Sequence, residues 1–409
     1  MNPLFEGKRI LLGVTGSIAA YKAAYLASSL TKIGAEVDVL FTDAALKFIT
    51  PLTFQSLTGR RVYSDQDLWG NQGHVLHIGL AKAADLYIIT PITANTIAKL
   101  AHGLADNLLT LTALASNCPV MIAPAMDGGM YQHPATRENL NILKERGYLV
   151  LGPAKGQLAS GTKGVGRMLE PEEIIGHVRQ VLARGGPLTG KKVVITAGGT
   201  QEPVDPVRVV TNRSSGKQGF ALAQAALDLG AEVILISAPV HLNSPLGVKR
   251  INVGTAQEML EAVINTIPEA DALIMAAAVA DFRPVAPAKE KFKKREGIPT
   301  IHLETVPDIL NAVSELKHKH NWSLVTVGFA AESQQLLENA RQKLETKTLD
   351  MIVANDIGAK DAGFSVDTNR VTLLNADGTA EPLPLMSKDK VAGEILQRVC
   401  TLINEMQPT

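Results

Sequence analysis

Short apolar runs rich in β-branched residues alternate along this chain with longer stretches whose apolar positions recur at helical spacing. That alternation predicts parallel strands joined by helices. In the first half, strands are predicted at about 9–14, 36–41, 86–90, 119–123 and 148–151, with helices at about 17–33, 44–57, 74–84, 94–116 and 135–146. Gly156, Gly161, Gly164 and Gly166, just after Gly152, crowd the stretch Pro153 to Arg167, which reads as a functional loop without regular structure. A helix at about 171–183 closes this half.

The second half repeats the theme, with strands near 192–196, 232–236, 248–252, 271–276, 324–328 and 350–353 and a hairpin across Asn369 to Glu381 turning at Asp377-Gly378. The opening segments of the two halves nearly match: Gly7-Lys8-Arg9-Ile10-Leu11-Leu12-Gly13-Val14-Thr15-Gly16 and Gly190-Lys191-Lys192-Val193-Val194-Ile195-Thr196-Ala197-Gly198-Gly199. Each is an apolar run ending in a glycine turn, as in a first strand that opens toward a helix N-terminus able to hold phosphate. Gly34-Ala35-Glu36-Val37 and Gly230-Ala231-Glu232-Val233 then mark a helix end and a new strand in both halves. The fold class predicted is therefore α/β, with two Rossmann-like, doubly wound domains and two nucleotide sites. Ala183 to Gly190 reads as the linker, giving domains 1–186 and 187–409. An insertion from Thr200 to Gly216 separates the first strand of the second half from its helix, so a second substrate or a subunit contact is expected there.

Composition bounds the function. The 409 residues are 46% hydrophobic and 20% charged, enough for two cores. Lys+Arg and Asp+Glu balance at 40 each, so no global field draws the chain to nucleic acid or an anionic membrane. The two cysteines, Cys118 and Cys400, have neither zinc nor CxxC spacing and suit a reducing cytosol. A strand begins within about ten residues of the N-terminus and no apolar stretch reaches about 18, so neither signal peptide nor membrane span is expected.

The glycine turns lack the acidic residue that dinucleotide binding places after the second strand; Leu40-Phe41-Thr42 and Ile236-Ser237-Ala238 stand there instead. Hydroxyls favour phosphate over ribose, which argues for mononucleotides and against a nicotinamide oxidoreductase. Ser215-Gly216-Lys217 lacks the upstream glycine spacing of a P-loop. Pro91-Ile92-Thr93-Ala94-Asn95-Thr96 and Pro124-Ala125-Met126-Asp127-Gly128-Gly129-Met130-Tyr131 each follow a strand, where crevice ligands bind. By spacing alone they fit N-caps and core filler equally well. Together with Gly16-Ser17-Ile18-Ala19-Ala20-Tyr21-Lys22, however, they resemble the flavin-dependent cysteine decarboxylases. The whole chain resembles the bifunctional phosphopantothenoylcysteine decarboxylase and phosphopantothenate–cysteine ligase family of coenzyme A synthesis.

The resemblance implies a flavodoxin-like first domain with Gly16, Ser17, Ala19, Thr42, Thr93, Asn95 and Thr96 around FMN. The flavin makes the decarboxylation possible by oxidising the thiol-bearing carbon before CO2 leaves and returning hydride afterwards. The essential histidine of the family matches His77, with His74 one turn away as the rival. Two positions depart from the family pattern: Asp127 stands where asparagine is frequent, and Ser160 where a catalytic cysteine is frequent. An ionised Asp127 would repel the substrate carboxylate unless protonated or paired, and a serine lacks the acidity of a thiol with pKa near 8.5. Ser160 and Asp127 then either supply the proton differently or leave a flavin-binding module that does not complete the decarboxylation. Cys118 is poorly placed in sequence to replace the missing thiol.

For the second domain the resemblance implies activation of the 4′-phosphopantothenate carboxylate by CTP, followed by attack of the L-cysteine nitrogen on the acyl-cytidylate. Asn212 would stabilise that intermediate, Arg208 would serve cysteine addition, and Lys291 would act in the first half-reaction. Met275, Ala276, Ala277, Asp281, Pro307, Asp308, Ile309, Leu310, Phe329, Lys343 and Lys347 would line the CTP site, with Asp281 on Mg2+. Lys343 and Lys347 lie one turn apart, so both can reach one triphosphate. The resemblance also implies trimers of the flavin domain and dimers of the ligase, combining into a higher homo-oligomer such as a dodecamer, in the cytoplasm.

Overall fold

The short, β-branched apolar runs of the first half form its principal strands. In the computed structural model, which describes residues 3–69, 75–294, 298–332, 336–356 and 366–406, two units separate at residues 1–182 and 183–409. The sheet of the first contains β1 (Arg9–Val14), β2 (Glu36–Phe41), β3 (Val62–Tyr63), β4 (Leu86–Ile92), β5 (Val120–Pro124) and β6 (Leu149–Val150), in the order β3-β2-β1-β4-β5-β6 and all parallel. Without the two-residue β3 at its edge, the order is the 2-1-3-4-5 of flavodoxin-like sheets. All seven residues of β4 are buried. Their side chains alternate between two cores, Ile88 joining Leu12 on one face and Tyr87 and Ile89 joining Leu11 on the other.

Local chemistry corrects three expectations. The helix expected over 94–116 is two helices, Ala94–His102 and Leu108–Ala115, because Gly103 ends the first at φ +70° and Asn107 caps the second by accepting the Thr110 N–H at 2.9 Å. The helix expected over 44–57 is a single turn at Ala45–Lys47 followed by a helix at Pro51–Thr58, since Pro51 is suited to start a helix and not to continue one. The glycine-dense stretch from Pro153 to Arg167 is regular after all: β7 (Ala154–Gln157) pairs antiparallel with β8 (Lys163–Arg167), Gly156 lying opposite Gly164. Close approach explains Gly166, where a Cβ would lie 2.2 Å from the carbonyl oxygen of Met126, while Gly161 takes a φ of +82° in the turn.

The second unit contains β9 (Lys192–Ala197), β10 (Gln201–Pro203), β11 (Val209–Thr211), β12 (Glu232–Ser237), β13 (Lys249–Asn252), β14 (Ala272–Met275), β15 (Phe282–Pro284), β16 (Leu303–Thr305), β17 (Val325–Glu332), β18 (Met351–Asp356), β19 (Thr368–Asn369), β20 (Val371–Asn375), β21 (Ala380–Pro382) and β22 (Met386–Ser387). Its main sheet runs β13-β12-β9-β14-β17-β18-β20-β21. The first six strands are parallel in Rossmann order, and β20 and β21 extend the sheet as the expected hairpin, with Gly378 at φ +85° in its turn. The insertion from Thr200 to Gly216 folds into the antiparallel pair β10–β11, and β15 pairs with β16 beside it. Among the described residues no helix is long and apolar enough to cross a membrane.

Candidate active sites

In an open parallel sheet the crevice for a ligand opens where neighbouring strands send their connections to opposite faces. In the first unit that point lies between the exits of β1 and β4. Thr15, buried at the end of β1, ties the two exits together: its Oγ1 donates to the Pro91 carbonyl at 2.7 Å and accepts the Thr93 N–H at 3.1 Å. Three expected flavin segments meet here. Gly16 has so little room that a Cβ would lie 2.5 Å from the Cβ of Ala44, which brings the Thr42–Ala45 turn against the glycine. Thr42 donates its N–H to Val14 at 3.1 Å, and its hydroxyl accepts from the Ala45 N–H at 3.3 Å. Ser17 accepts from the Ala19 N–H at 3.3 Å. Thr93 caps the helix Ala94–His102, its hydroxyl 3.3 Å from that of Thr96, while Asn95 is exposed. The helix Ala20–Ile33 begins at Ala19 without a side-chain cap or an acidic residue in its first turn, so its N-terminal N–H groups suit an anion.

His77 lies in the first turn of the helix Leu76–Ala83, which leads into β4 and so starts at the same edge of the sheet. Among the described residues its Nδ1 is buried without a hydrogen-bond partner. An unpaired buried nitrogen is costly, and a ligand donor or acceptor would relieve it. The rival, His74, lies outside the described residues.

The two departures from the family pattern are brought together. Ser160, at the tip of the β7–β8 hairpin, donates to Asp127 Oδ2 at 2.8 Å and lies 2.9 Å from the hydroxyl of Thr162. Asp127 Oδ1 accepts the Gly129 N–H at 2.9 Å. These hydrogen bonds, that from Gly129 first and that from Ser160 second, hold the Asp127 carboxyl below the usual aspartate range. Asp127 is therefore ionised at neutral pH and stabilised by a hydroxyl. The hairpin is fastened to the same segment by a Met126 N–H bond to the Gly166 carbonyl at 3.0 Å. Its base is held by the buried Lys22, whose Nζ lies 3.2 Å from the Met168 carbonyl and 2.9 Å from Glu170 Oε1. Cys118 precedes β5 while Asp127 follows it, about 16 Å of strand away. Burial also pushes the Cys118 thiol up, so it makes a poor acid.

In the second unit the corresponding crevice lies between the exits of β9 and β14. The Ala278 N–H donates to Gly198 at 2.8 Å, the Thr200 N–H to Ala278 at 3.3 Å, and the hydroxyls of Thr196 and Thr200 accept the N–H groups of Ala277 and Ala280. Asn212 joins them, its amide donating to the Val279 carbonyl at 2.9 Å. Ala276 and Ala277 are half-buried beside the crevice, while the side chains of Met275 and Ile309 are packed in the core, leaving backbone to face a ligand. The Asp281 carboxylate is exposed and unpartnered among the described residues. No group of three or more metal-ligating side chains converges among the described residues. Asp308 caps the helix Ile309–His320, and its Oδ2 meets Lys347 Nζ at 2.7 Å. Lys347 follows the helix Leu336–Thr346 but keeps its N–H on the Lys343 carbonyl, one turn below. Pro307, Leu310 and Phe329 are half-buried. Lys291 is exposed, and Arg208 is bound to Asp205.

Sequence reasoning assigned no role to Thr15, Thr162 or Asp205, although Asp205 stands in the ligase motif Asp205-Pro206-Val207-Arg208. The signal for Thr15 was present, since a hydroxyl precedes the glycine turn in both opening segments; the partners of Thr162 and Asp205 leave no mark in local spacing.

A family model described as Flavoprotein matches residues 4–183, and one described as DNA/pantothenate metabolism flavoprotein C-terminal domain matches residues 188–402. The chain is similar to the Coenzyme A biosynthesis bifunctional protein CoaBC of Bacillus subtilis (strain 168), 47% identical over 402 residues, 98% of each chain. It is likewise 47% identical over 395 residues to the CoaBC of Vibrio cholerae, covering 96% of this chain and 98% of that one. A crystal structure of the C-terminal domain of a CoaBC covers 54% of this chain and 100% of its own, at 42% identity and a TM-score of 0.46.

Proposed function

The chain belongs to the bifunctional CoaBC family of coenzyme A biosynthesis, an enzyme family that joins a decarboxylase to a ligase, and from that premise we propose how its two crevices divide the work. The second unit ligates L-cysteine to 4′-phosphopantothenate with CTP and Mg2+, and the first decarboxylates the product to 4′-phosphopantetheine with FMN. The observation that carries this reading is the convergence of separate motif segments at the switch point of each sheet.

In the ligase, activation requires the substrate carboxylate to attack the α-phosphate of CTP while pyrophosphate leaves. The protein must neutralise charge and align the attack. Lys343 and Lys347 serve the triphosphate, and the small side chains of Ala276 and Ala277 let the nucleotide approach the backbone. Asp281 offers the single free carboxylate that Mg2+ needs when phosphate and water supply its other oxygens. Lys291 acts at this step. Asn212, held on the Val279 carbonyl, stabilises the acyl-cytidylate, and Arg208 serves the cysteine nitrogen that displaces CMP.

In the decarboxylase, Gly16, Ser17, Ala19, Thr42, Thr93, Asn95 and Thr96 would hold FMN, and the uncapped first turn of Ala20–Ile33 offers its N–H groups to a phosphate. The steric fit at Gly16 and the orphaned His77 Nδ1 suit a bound ring and phosphate. Bound FMN would supply the oxidation that permits loss of CO2 and the hydride returned afterwards. His77 is the base. Ser160 stands at the position of the family's catalytic cysteine, and to it and its hydrogen-bond partner Asp127 we assign the last proton transfer. Exposed Ile18, Tyr21 and Tyr25 beside the flavin turn, and exposed Val207, Val209 and Phe282 in the ligase, suit subunit contacts in a cytoplasmic homo-oligomer built from flavin-domain trimers and ligase-domain dimers.

The test is single-turnover product analysis by mass spectrometry on purified protein given 4′-phosphopantothenate, L-cysteine, CTP and Mg2+. Phosphopantothenoylcysteine should appear first, then 4′-phosphopantetheine with CO2, from yellow protein. Accumulation of the unsaturated enethiol would refute the role given to Ser160 and Asp127, and absence of CTP-dependent ligation would refute the ligase assignment.

A further inference from the structure

Asp205 sits in the turn between β10 and β11 with its side chain fully buried, at 0% exposure. Its Oδ1 accepts the N–H groups of Val207 and Arg208, each at 2.8 Å. Its Oδ2 takes Arg208 Nη1 at 2.5 Å and the N–H of Phe292 at 3.2 Å. Arg208 reaches the same residue from the other side, with Nη1 and Nη2 at 3.5 and 3.4 Å from the Phe292 carbonyl oxygen. Both main-chain polar groups of Phe292 are thus gripped by one ion pair, and the residue before Phe292 is Lys291. A second tether, the Ala288 N–H on the Val204 carbonyl at 2.9 Å, holds the same stretch against the same turn. Burial pushes the Asp205 carboxyl up, but hydrogen bonds from Val207, Phe292 and Arg208 and the Arg208 charge outweigh it and hold the group below the usual range. The run from Lys289 to Lys294 carries four lysines, all exposed, and the Asp205–Arg208 pair fixes its backbone at Phe292.

We propose that Asp205 is a positioning residue for the ligation: with Arg208 it clamps Phe292 and thereby sets the place of Lys291 at the step that forms the acyl-cytidylate. The proposal rests on the reading above that Lys291 acts in that first half-reaction. It also gives Arg208 a part in that step, in addition to cysteine addition.

The experiment measures pyrophosphate release in a single turnover from full-length protein, CTP, Mg2+ and 4′-phosphopantothenate, with cysteine left out. An amide at position 205 cannot accept from N–H groups at both ends, so Asp205→Asn should release Phe292 and slow the step by about 10- to 100-fold, the range expected when a reacting group is misplaced by about 1 Å. The CTP concentration for half-saturation should stay within about two-fold. Because Asp205 acts through Lys291, the double variant Asp205→Asn/Lys291→Gln should be no more than about two-fold slower than Lys291→Gln alone. Independent, multiplying losses would overturn the proposal, since a merely structural carboxylate would give them. A wild-type rate in Asp205→Asn beside a slow Lys291→Gln would also overturn it while leaving the role of Lys291 standing. A wild-type rate in Lys291→Gln would overturn the reading of Lys291 and the clamp with it. If Asp205→Asn does not fold, Arg208→Lys decides: it keeps the charge but loses the fork on Phe292, so it should slow this cysteine-free step, and an unchanged rate would overturn the clamp.

Discussion

Gly16→Ala tests the flavin crevice at its tightest point. The added Cβ would lie 2.5 Å from the Cβ of Ala44 and 3.0 Å from its carbonyl carbon. Carbon atoms in contact prefer about 3.5–4.0 Å, so the Thr42–Ala45 turn must retreat by about 1–1.5 Å. That turn is fixed by the Thr42 N–H on Val14 at 3.1 Å and by the short Ala45 N–H bond of 2.8 Å to Thr42. It cannot move without lengthening the first of these. Overpacking of this kind costs about 1–3 kcal/mol. If the strain falls on the FMN-bound arrangement, it weakens flavin binding by about 5- to 150-fold. The assay is titration of apoprotein with FMN, followed by flavin fluorescence, alongside the ratio of flavin to protein absorbance after purification. A Kd within about two-fold of wild type would refute the reasoning that bound FMN needs the Thr42–Ala45 turn where it stands, even if the variant had lost stability.

Other outcomes follow from the same geometry. Asp308→Asn keeps a good helix cap but removes the carboxylate beside Lys347, so it should leave stability within about 0.5 kcal/mol and tighten CTP binding by up to about five-fold; weaker binding would show that Asp308 itself holds the nucleotide or its metal. Because the folded-state carboxyl of Asp127 is depressed, the stability it contributes is present above its unfolded pKa of about 3.9 and is lost as pH falls through the lower folded value. The difference in Tm between wild type and Asp127→Asn should therefore stay constant from pH 7 to about 4.5 and change only below, whereas a change between pH 5 and 7 would contradict that assignment. Gly393→Ala lies in the helix Lys388–Met406 with nothing within 4 Å of the new Cβ, so it should raise the Tm of the ligase unit by the equivalent of about 0.5–1 kcal/mol and leave FMN affinity unchanged.

How much of this was legible in the sequence depended on the range over which each feature is written. Parallel strands buried on both faces appear as unbroken apolar runs, so the strand at 86–90 could be read directly, short of the Pro91 and Ile92 that complete it, whereas the two residues of β3 carry no pattern at all. The glycines of β7 and β8 misled because density was taken for irregularity, when the requirement at Gly166 is the nearness of the Met126 carbonyl. The motif residues of both sites could be named from their segments. Their partners could not: Ser160 meets Asp127 across 33 positions, Lys347 meets Asp308 across 39, and Asp205 meets Phe292 across 87, separations that only the tertiary fold closes. The near-repeat of the two opening segments nonetheless had physical content beyond glycine. A crevice opened between diverging strands exposes backbone groups that ladder hydrogen bonds no longer satisfy. Thr15 in one unit, and Thr196 and Thr200 in the other, answer that need with a hydroxyl at or just beyond the exit of the first strand, bonded to the backbone that follows the strand across the crevice. Each crevice is therefore held at a set width before any nucleotide enters, so binding need not order these walls, and the Thr-Gly and Thr-Ala-Gly endings of the two runs reflect that shared constraint.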